Sequence, residues 1–251
     1  MPEVRSWSGT AYDRLSAPME AMGREVLERL ELRGDETVID AGCGSGRVTE
    51  ALVERLPRGR VIGVDVSASM VEAARARLDG RADLHVADLS TMDLGLRADA
   101  ILSTATFHWI ADHDALFARL RAHLRDGGAL VAQCGGRGNI ANVHAAAAEV
   151  MALEPYAVHF AGWQGPWNFA TAEETEARLR NAGFARARAW LVGLPVVPED
   201  PRDYLAEINL GAHLGRLPRG LQVAFVDGVL ERLGGPPVTL DYVRLNIDAA
   251  V

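Results

Sequence analysis

A glycine-rich run from Asp40 to Gly46 constrains this chain more than any other stretch. It follows the apolar residues 37–39, it opens a helical pattern, and a second apolar run, 61–64, ends in Asp65. Glycines let the backbone approach a ligand, and the N-terminus of a helix offers unpaired N–H groups. An acid at the tip of the second strand suits the two hydroxyls of a ribose. Together these features predict a nucleoside-binding half-site.

The spacing of the glycines indicates which nucleoside is bound. Gly42, Gly44 and Gly46 read Gly-x-Gly-x-Gly, whereas a dinucleotide fingerprint reads Gly-x-Gly-x-x-Gly. Preceded by Asp40, the run resembles the first motif of class I S-adenosylmethionine (SAM) methyltransferases, and this resemblance implies SAM as the cofactor. Two alternatives stay open. One is an NAD-linked oxidoreductase, supported only by the glycine loop and Asp65, and the other is a SAM-binding protein without turnover.

Strand and helix patterns alternate along the chain, which predicts a Rossmann-like, doubly wound α/β fold. The expected strands are 37–41, 60–65, 83–87, 98–103 and 128–134. The expected helices lie near 45–56, 68–78, 112–124 and 172–182. The resemblance implies a mostly parallel, seven-stranded sheet with an antiparallel last strand, and the alternating run 238–247 is the candidate for that strand.

We expect a single methyltransferase domain over residues 1–251. Its SAM-binding core is residues 35–135, where the resemblance is concentrated. Residues 136–170 and 194–237 do not follow the simple alternation, and we expect both to be insertions that cover the substrate.

Composition excludes several classes of partner. The formal net charge of −8 argues against nucleic acid, because phosphate contacts supply most of such affinity. No apolar stretch approaches the roughly 18 residues needed to span a bilayer, and the N-terminus lacks a signal-peptide pattern, so we expect a cytoplasmic protein. Cys43 and Cys134 are the only cysteines, and we expect neither a disulfide nor a metal site from them. The sequence leaves the oligomeric state open.

The resemblance assigns cofactor contacts residue by residue. It implies that Asp88, after the third strand, bonds the adenine amino group, and that Val66 and Met70 flank the adenine ring. Cys43 would contribute its backbone and not its thiol. The predicted cofactor-binding residues are Asp40, Gly42, Cys43, Gly44, Gly46, Asp65, Val66, Met70, Asp88, Leu89 and Thr104.

The block Phe107-His108-Trp109-Ile110 indicates the subfamily. With the later stretch 124–128, it resembles the trans-aconitate methyltransferase group and related small-molecule carboxyl O-methyltransferases. The resemblance implies a small-molecule acceptor with a carboxylate, which needs no base because it is already ionised at neutral pH. A hydroxyl acceptor would need a base, and His108 would then be the first candidate.

His108 is accordingly the catalytic candidate, because it follows the fourth strand, where this kind of fold opens its active site. Aromatic side chains suit the walls of an acceptor pocket, although each could instead belong to the core. Arg137 could pair with a carboxylate, but we expect it to be exposed. The predicted acceptor-binding residues are Trp7, Tyr12, His108, Trp109, Trp163 and Trp167.

Overall fold

A computed structural model describes residues 17–251 of the chain, with side-chain burial described from residue 22 onward. Seven strands form one sheet in the order β3-β2-β1-β4-β5-β7-β6. All neighbouring strands are parallel except that β7 is antiparallel to both β5 and β6. The strands are β1 Thr37–Ala41, β2 Arg60–Asp65, β3 Asp83–Val86, β4 Ala98–Thr104, β5 Leu124–Gly135, β6 Arg186–Gly193 and β7 Val243–Ala250.

The helices lie between and beyond these strands. A 3₁₀ turn at Phe107–Trp109 follows β4, and a π-helical turn at Leu205–Asn209 links two short helices of the second insertion. The α-helices are α1 Ala17–Glu28, α2 Arg47–Arg55, α3 Ala68–Leu78, α4 His113–Ala122, α5 Ala141–Met151, α6 Ala157–Phe160, α7 Ala172–Asn181, α8 Pro201–Tyr204, α9 Gly211–Leu214 and α10 Arg219–Arg232.

The predicted architecture is confirmed, and several elements match residue for residue. Strands β1 and β2 and helix α3 have the bounds expected from the sequence. Strand β5 begins at Leu124 and not at residue 128, and several other ends shift by one or two residues. Two further features differ. The last strand begins at Val243, not at residue 238, because the preceding residues form only an isolated bridge between Val196 and Leu240. The sequence does not predict strand β6, since five of its eight residues are exposed and its apolar pattern is weak.

Three apolar clusters hold the molecule together. One packs on the sheet face covered by α4 and α7, and it includes Phe107 and Phe117. A second packs α1 and α2 against the opposite face through residues such as Leu27 and Leu52. The third, which includes Phe225, lies within the two insertions and joins α5 to α10. The insertions therefore form a body with its own apolar core.

No helix among residues 17–251 is long and apolar enough to cross a membrane. Both cysteines, Cys43 and Cys134, are free and buried. Burial raises the pKa of both thiols, that of Cys134 to about 12, so neither is poised to react as a thiolate.

Candidate active site

The three glycines of the loop between β1 and α2 all have positive φ, at 87°, 53° and 84°. Each glycine meets different surroundings. A Cβ on Gly42 would lie 2.1 Å from Thr106 Oγ1, and one on Gly46 would lie 3.2 Å from the Cβ of Ala74. A Cβ on Gly44 would meet nothing within 4 Å. The loop is therefore packed at its two ends and open in the middle, at Gly44.

Asp65 ends β2 beside this opening. Its Oδ2 accepts the backbone N–H of Gly44 at 3.0 Å, and its Oδ1 accepts that of Ser67 at 2.9 Å. Burial raises the pKa of the carboxyl, and the backbone hydrogen bonds partly oppose that rise. Each carboxylate oxygen can accept a further hydrogen bond. The geometry thus joins the acid to the open part of the loop and leaves it capacity for a ligand's hydroxyls.

Asp40 lies beneath the loop and is only 1% exposed. Thr49 Oγ1 donates to its Oδ2 at 2.7 Å, but its Oδ1 has no hydrogen-bond partner. Burial raises the pKa of Asp40 to about 6, and the neighbouring charge of Asp65 adds to the effect. A buried acceptor without a partner is costly, so this oxygen fits a donor that belongs to a ligand.

Side chains form only part of the predicted adenine-binding site. Val66 is 51% exposed at the end of β2, Met70 is buried in the first turn of α3, and Asp88 is exposed after β3. Asp88 Oδ1 accepts the backbone N–H of Ser90. Leu89 differs from the other three, because its side chain packs into the core. Only the backbone of Leu89 is left to contact a ligand.

The end of β4 is held in an unusual conformation. Ala105 has φ +54°, a region that costs a residue with a Cβ about 1–2 kcal/mol. Its N–H donates to the carbonyl of Gln133 at 2.7 Å, and Thr106 Oγ1 donates to the carbonyl of Thr104 at 2.9 Å. Strain of this kind is concentrated at functional sites. The turn leaves Thr104 half-buried at the carboxyl end of β4 and directs the chain into the segment that carries His108.

His108 is buried over the ends of β4 and β5. Its Nδ1 accepts the backbone N–H of Gly135 at 3.2 Å, so the neutral ring carries its proton on Nε2. Burial lowers the pKa of His108 to about 3, and the positive charges of Arg244 and His113 lower it further. At neutral pH this imidazole is uncharged, and it presents a donor and not a base.

Aromatic rings extend from His108 into the insertions. The ring of Phe169 stacks 5.8 Å from that of His108, and Trp167 lies 6.0 Å from Trp109 and 5.8 Å from Trp163. The structure therefore brings together the predicted residues His108, Trp109, Trp163 and Trp167. Trp7 and Tyr12 lie outside the described residues, and Arg137 is exposed, as expected.

The sequence patterns do not identify three further residues of this region. His144 lies 4.6 Å from Trp167 between ring centroids, and His213 lies 4.9 Å from Trp163. Arg244 is 4% exposed, and its Nε donates to Gln133 Oε1 at 3.3 Å. No local motif marks these residues: His144 lies in the first turns of α5, His213 in the short helix α9 and Arg244 at the start of β7.

The fold and the site together define a class. A dinucleotide-binding sheet has the strand order 3-2-1-4-5-6, whereas here the antiparallel β7 lies between β5 and β6. With the opening at Gly44 and the acids Asp40 and Asp65 around it, this is the fold and loop of a SAM-dependent methyltransferase and not of an NAD-linked oxidoreductase.

Comparisons with known proteins agree. Residues 38–128 match the family described as "Methyltransferase domain". A trans-aconitate 2-methyltransferase from Azoarcus sp. is 38% identical over 128 residues, which are 51% of this chain and 50% of that protein. Another from Paracidovorax citrulli is 32% identical over 184 residues, 72% of this chain and 66% of that protein. The chain spans about half the length of the Azoarcus relative.

Solved structures show the same fold. Phosphoethanolamine N-methyltransferase 2 of Haemonchus contortus, solved with phosphomonomethylethanolamine and S-adenosylhomocysteine, superposes with a TM-score of 0.62 at 19% identity, covering 100% of this chain and 61% of that one. The YcgJ protein of Bacillus subtilis gives 0.61 at 14% identity and covers 92% and 97%. The chain therefore contains a methyltransferase domain of the SAM-dependent class.

Proposed function

We propose that the protein transfers a methyl group from SAM to a carboxylate of a small-molecule acceptor. The trans-aconitate 2-methyltransferases among its relatives support a small-molecule acid as acceptor. The observation that carries the choice of a carboxylate is the hydrogen bond from Gly135 N–H to His108 Nδ1.

The residues around the glycine loop fit SAM. The space at Gly44 admits the ligand, Asp65 offers acceptor capacity for the ribose hydroxyls, and the unpartnered Oδ1 of Asp40 offers an acceptor for the ammonium group. Val66 and Met70 would hold the adenine ring, with Asp88 at its amino group. When bound, SAM supplies a methyl group on a positively charged sulfur, which an acceptor oxygen takes as the carbon–sulfur bond breaks.

His108 supports an acceptor that arrives already ionised. Its Nε2 already carries the ring proton, its Nδ1 lone pair is engaged by Gly135, and its pKa of about 3 leaves it little tendency to take a second proton. The Nε2–H instead suits an anionic oxygen, and hydrogen bonds to charged groups are worth about 1.5–3 kcal/mol. Alignment of the reacting groups then accounts for most of the rate, because a carboxylate needs no deprotonation.

The insertions would cover the acceptor. Trp163, Trp167 and Phe169 are only partly buried although their rings are in contact, so they line a space that solvent can reach. Closing this space over the acceptor would exclude water from the carboxylate and strengthen its hydrogen bond to His108. The proposal keeps the expected single domain, with residues 35–135 for SAM and 136–170 and 194–237 for the acceptor.

Two substitutions at His108 separate the donor role from the base role. His108→Gln keeps an N–H donor, and His108→Leu removes it. With a carboxylate acceptor, we expect the glutamine variant to retain kcat within about tenfold and the leucine variant to lose about 10- to 150-fold, the equivalent of one charged hydrogen bond. His123→Gln is the control for loss of a buried histidine, since both nitrogens of His123 are bonded at a different part of the fold.

The readout is the 14-dalton mass gain on carboxylic and phenolic acceptors, followed between pH 6 and 8. A rate that is nearly flat with pH, and a product ester that alkali cleaves, support the proposal. If His108→Gln and His108→Leu both lose 100-fold or more and the wild-type rate rises through a histidine pKa, His108 is a base and the acceptor is a hydroxyl.

A further inference from the structure

The aromatic rings and imidazoles of the insertions form one continuous layer that begins at His108. Phe169 lies 5.8 Å from the rings of both His108 and His144. The rings of His144 and His213 are 6.2 Å apart, and Trp167 contacts both. A molecule that reaches from His108 to His144 therefore crosses one aromatic ring, so it need span no more than about 12 Å, twice the separation of neighbouring rings.

The end of this layer away from His108, around His144 and His213, is its far end. It holds buried polar atoms that form no hydrogen bond within the described part of the protein. His144 Nε2, His213 Nδ1 and Asn209 Oδ1 are buried without a hydrogen-bond partner. Asn209 and His213 stand four residues apart in successive helical turns, and His213 is only 2% exposed. Each buried polar atom without a partner costs about 1–3 kcal/mol, so three in one region require an explanation.

These atoms suit a neutral polar group and not an anion. Burial lowers the pKa of His213 to about 3, and the neighbouring His144 lowers it further. Burial also lowers the pKa of His144, although Asp241 opposes the shift. Two neutral imidazoles and an amide oxygen offer both donors and acceptors, which a hydroxyl can match at once. An anion would instead meet the amide oxygen and would bring an uncompensated charge.

The cations of the insertions lie at the surface, and the exposed Arg216 guanidinium is 5.6 Å from the centroid of the Trp163 ring. Arg202 pairs with Asp227 on the surface, Arg232 with Glu149, and exposed Arg216 donates to a backbone carbonyl. Among residues 22–251, Arg244 is the only arginine that is fully buried, and its charge acts on His108 and also on Tyr242, the hydrogen-bond partner of Asn209. The buried part of this region, as far as the structure describes it, thus holds a single cation, Arg244, whose charge can balance one carboxylate at His108.

We propose that the acceptor is a monocarboxylic acid with a flat, unsaturated or aromatic body and a hydroxyl at its far end. The inference rests on the proposed carboxylate methylation and specifies its substrate class. The carboxylate lies at His108, the body packs among Trp167, Phe169 and Trp163, and the hydroxyl bonds to His213, His144 and Asn209. A 4-hydroxycinnamate has this order of groups and fits within the length limit. A tricarboxylate such as trans-aconitate would place further charges against aromatic carbon and neutral imidazole.

The test compares three acids, trans-cinnamate, 4-hydroxycinnamate and trans-aconitate, in methyl-transfer assays and in calorimetry with S-adenosylhomocysteine present. We expect 4-hydroxycinnamate to bind at least fivefold more tightly than cinnamate, and both to be esterified at least tenfold more efficiently than trans-aconitate. The ester, cleaved by alkali, is distinguished from a methyl ether on the phenol.

His213→Leu should abolish the preference for 4-hydroxycinnamate over cinnamate while it leaves cinnamate and S-adenosylhomocysteine affinities within about twofold. His159→Leu, on the neighbouring α6, is the matched control and should change none of the three. Preferred esterification of trans-aconitate, or no binding of either cinnamate, overturns this inference and leaves carboxylate methylation standing. An ether as the only product overturns carboxylate methylation itself.

Discussion

Gly42 and Gly44 both have positive φ, but an added methyl group would meet very different surroundings at the two positions. In Gly42→Ala the Cβ would lie 2.1 Å from Thr106 Oγ1 and 2.3 Å from Thr106 Cγ2. In Gly44→Ala it would meet open space. The left-handed backbone costs an alanine about 1–2 kcal/mol at either site. Only Gly42→Ala adds overpacking, which typically costs about 1–3 kcal/mol.

We therefore expect Gly42→Ala to lower the free energy of unfolding by about 2–5 kcal/mol and Gly44→Ala by only about 1–2 kcal/mol. In a chain of this size, the corresponding falls in Tm are about 4–20 °C and about 2–8 °C. Urea unfolding followed by circular dichroism measures both values. For SAM affinity we expect the opposite order, with the larger loss in Gly44→Ala, the less destabilised variant. Gly44→Ala should fold and yet bind SAM at least tenfold more weakly, because its methyl group occupies the open side of the loop.

A second substitution isolates the clash. Thr106→Gly removes all three side-chain atoms that the new Cβ would meet, so the double variant Gly42→Ala/Thr106→Gly should be at least 1 kcal/mol more stable than the sum of the single effects. Equal stabilities for Gly42→Ala and Gly44→Ala, or strict additivity in the double variant, would refute the packing argument. Unchanged SAM affinity in a folded Gly44→Ala would refute the assignment of the opening to the cofactor.

Three further predictions follow from the site. Asp65→Ala should weaken SAM binding by about 1.5–3 kcal/mol, which is about 10- to 150-fold in calorimetry, because two ribose hydrogen bonds to a carboxylate are lost; an unchanged Kd contradicts the ribose assignment. The pKa of His213 is about 3 in the folded protein and about 6.5 in the unfolded chain, so below pH 6.5 the unfolded chain binds more protons. The contribution of neutral His213 to the free energy of unfolding is therefore fully present above pH 6.5 and is lost as the pH falls toward 3. Between pH 7 and 5 this residue should account for about 2 kcal/mol of lost stability, and His213→Leu should reduce the pH dependence of urea unfolding by that amount; an unaltered dependence would mean that the ring titrates normally. Trp167→Ala should weaken the acceptor more than SAM, and equal loss of both together with a lower Tm would show that the ring belongs to the core.

The cofactor half of the molecule could be predicted from the sequence because its chemistry is local. The glycine loop and Asp65 follow directly from two buried strands, so an apolar run and the residue after it place the ligand groups. The hydrogen bond between Gly44 and Asp65 then needs only the two strands to be neighbours. Leu89 shows the limit of this reasoning, because its position after β3 follows from the sequence but the burial of its side chain in the core does not.

The acceptor half could not be predicted in the same way. His144 is on a helix rich in alanine, and His213 is in a four-residue helix after a π-helical turn, so neither position carries a periodic signal. They come together because α5 and α9, which are distant in sequence, both pack into the apolar cluster of the insertions. The tryptophans were easier to identify, since large aromatic side chains outside the regular alternation must either fill a core or line a pocket.

His108 shows how the two halves depend on each other. The motif around it predicts its position at the end of β4, but its protonation depends on Gly135 of β5 and on Arg244 of β7, which are distant in sequence. Sequence alone left His108 as either a base or a partner of the acceptor. The bond to Nδ1 supports the second role, because a ring whose lone pair is engaged and whose pKa is about 3 can donate from Nε2 but has little capacity to accept a proton. The reaction proposed for this chain thus follows from a backbone amide that no motif includes.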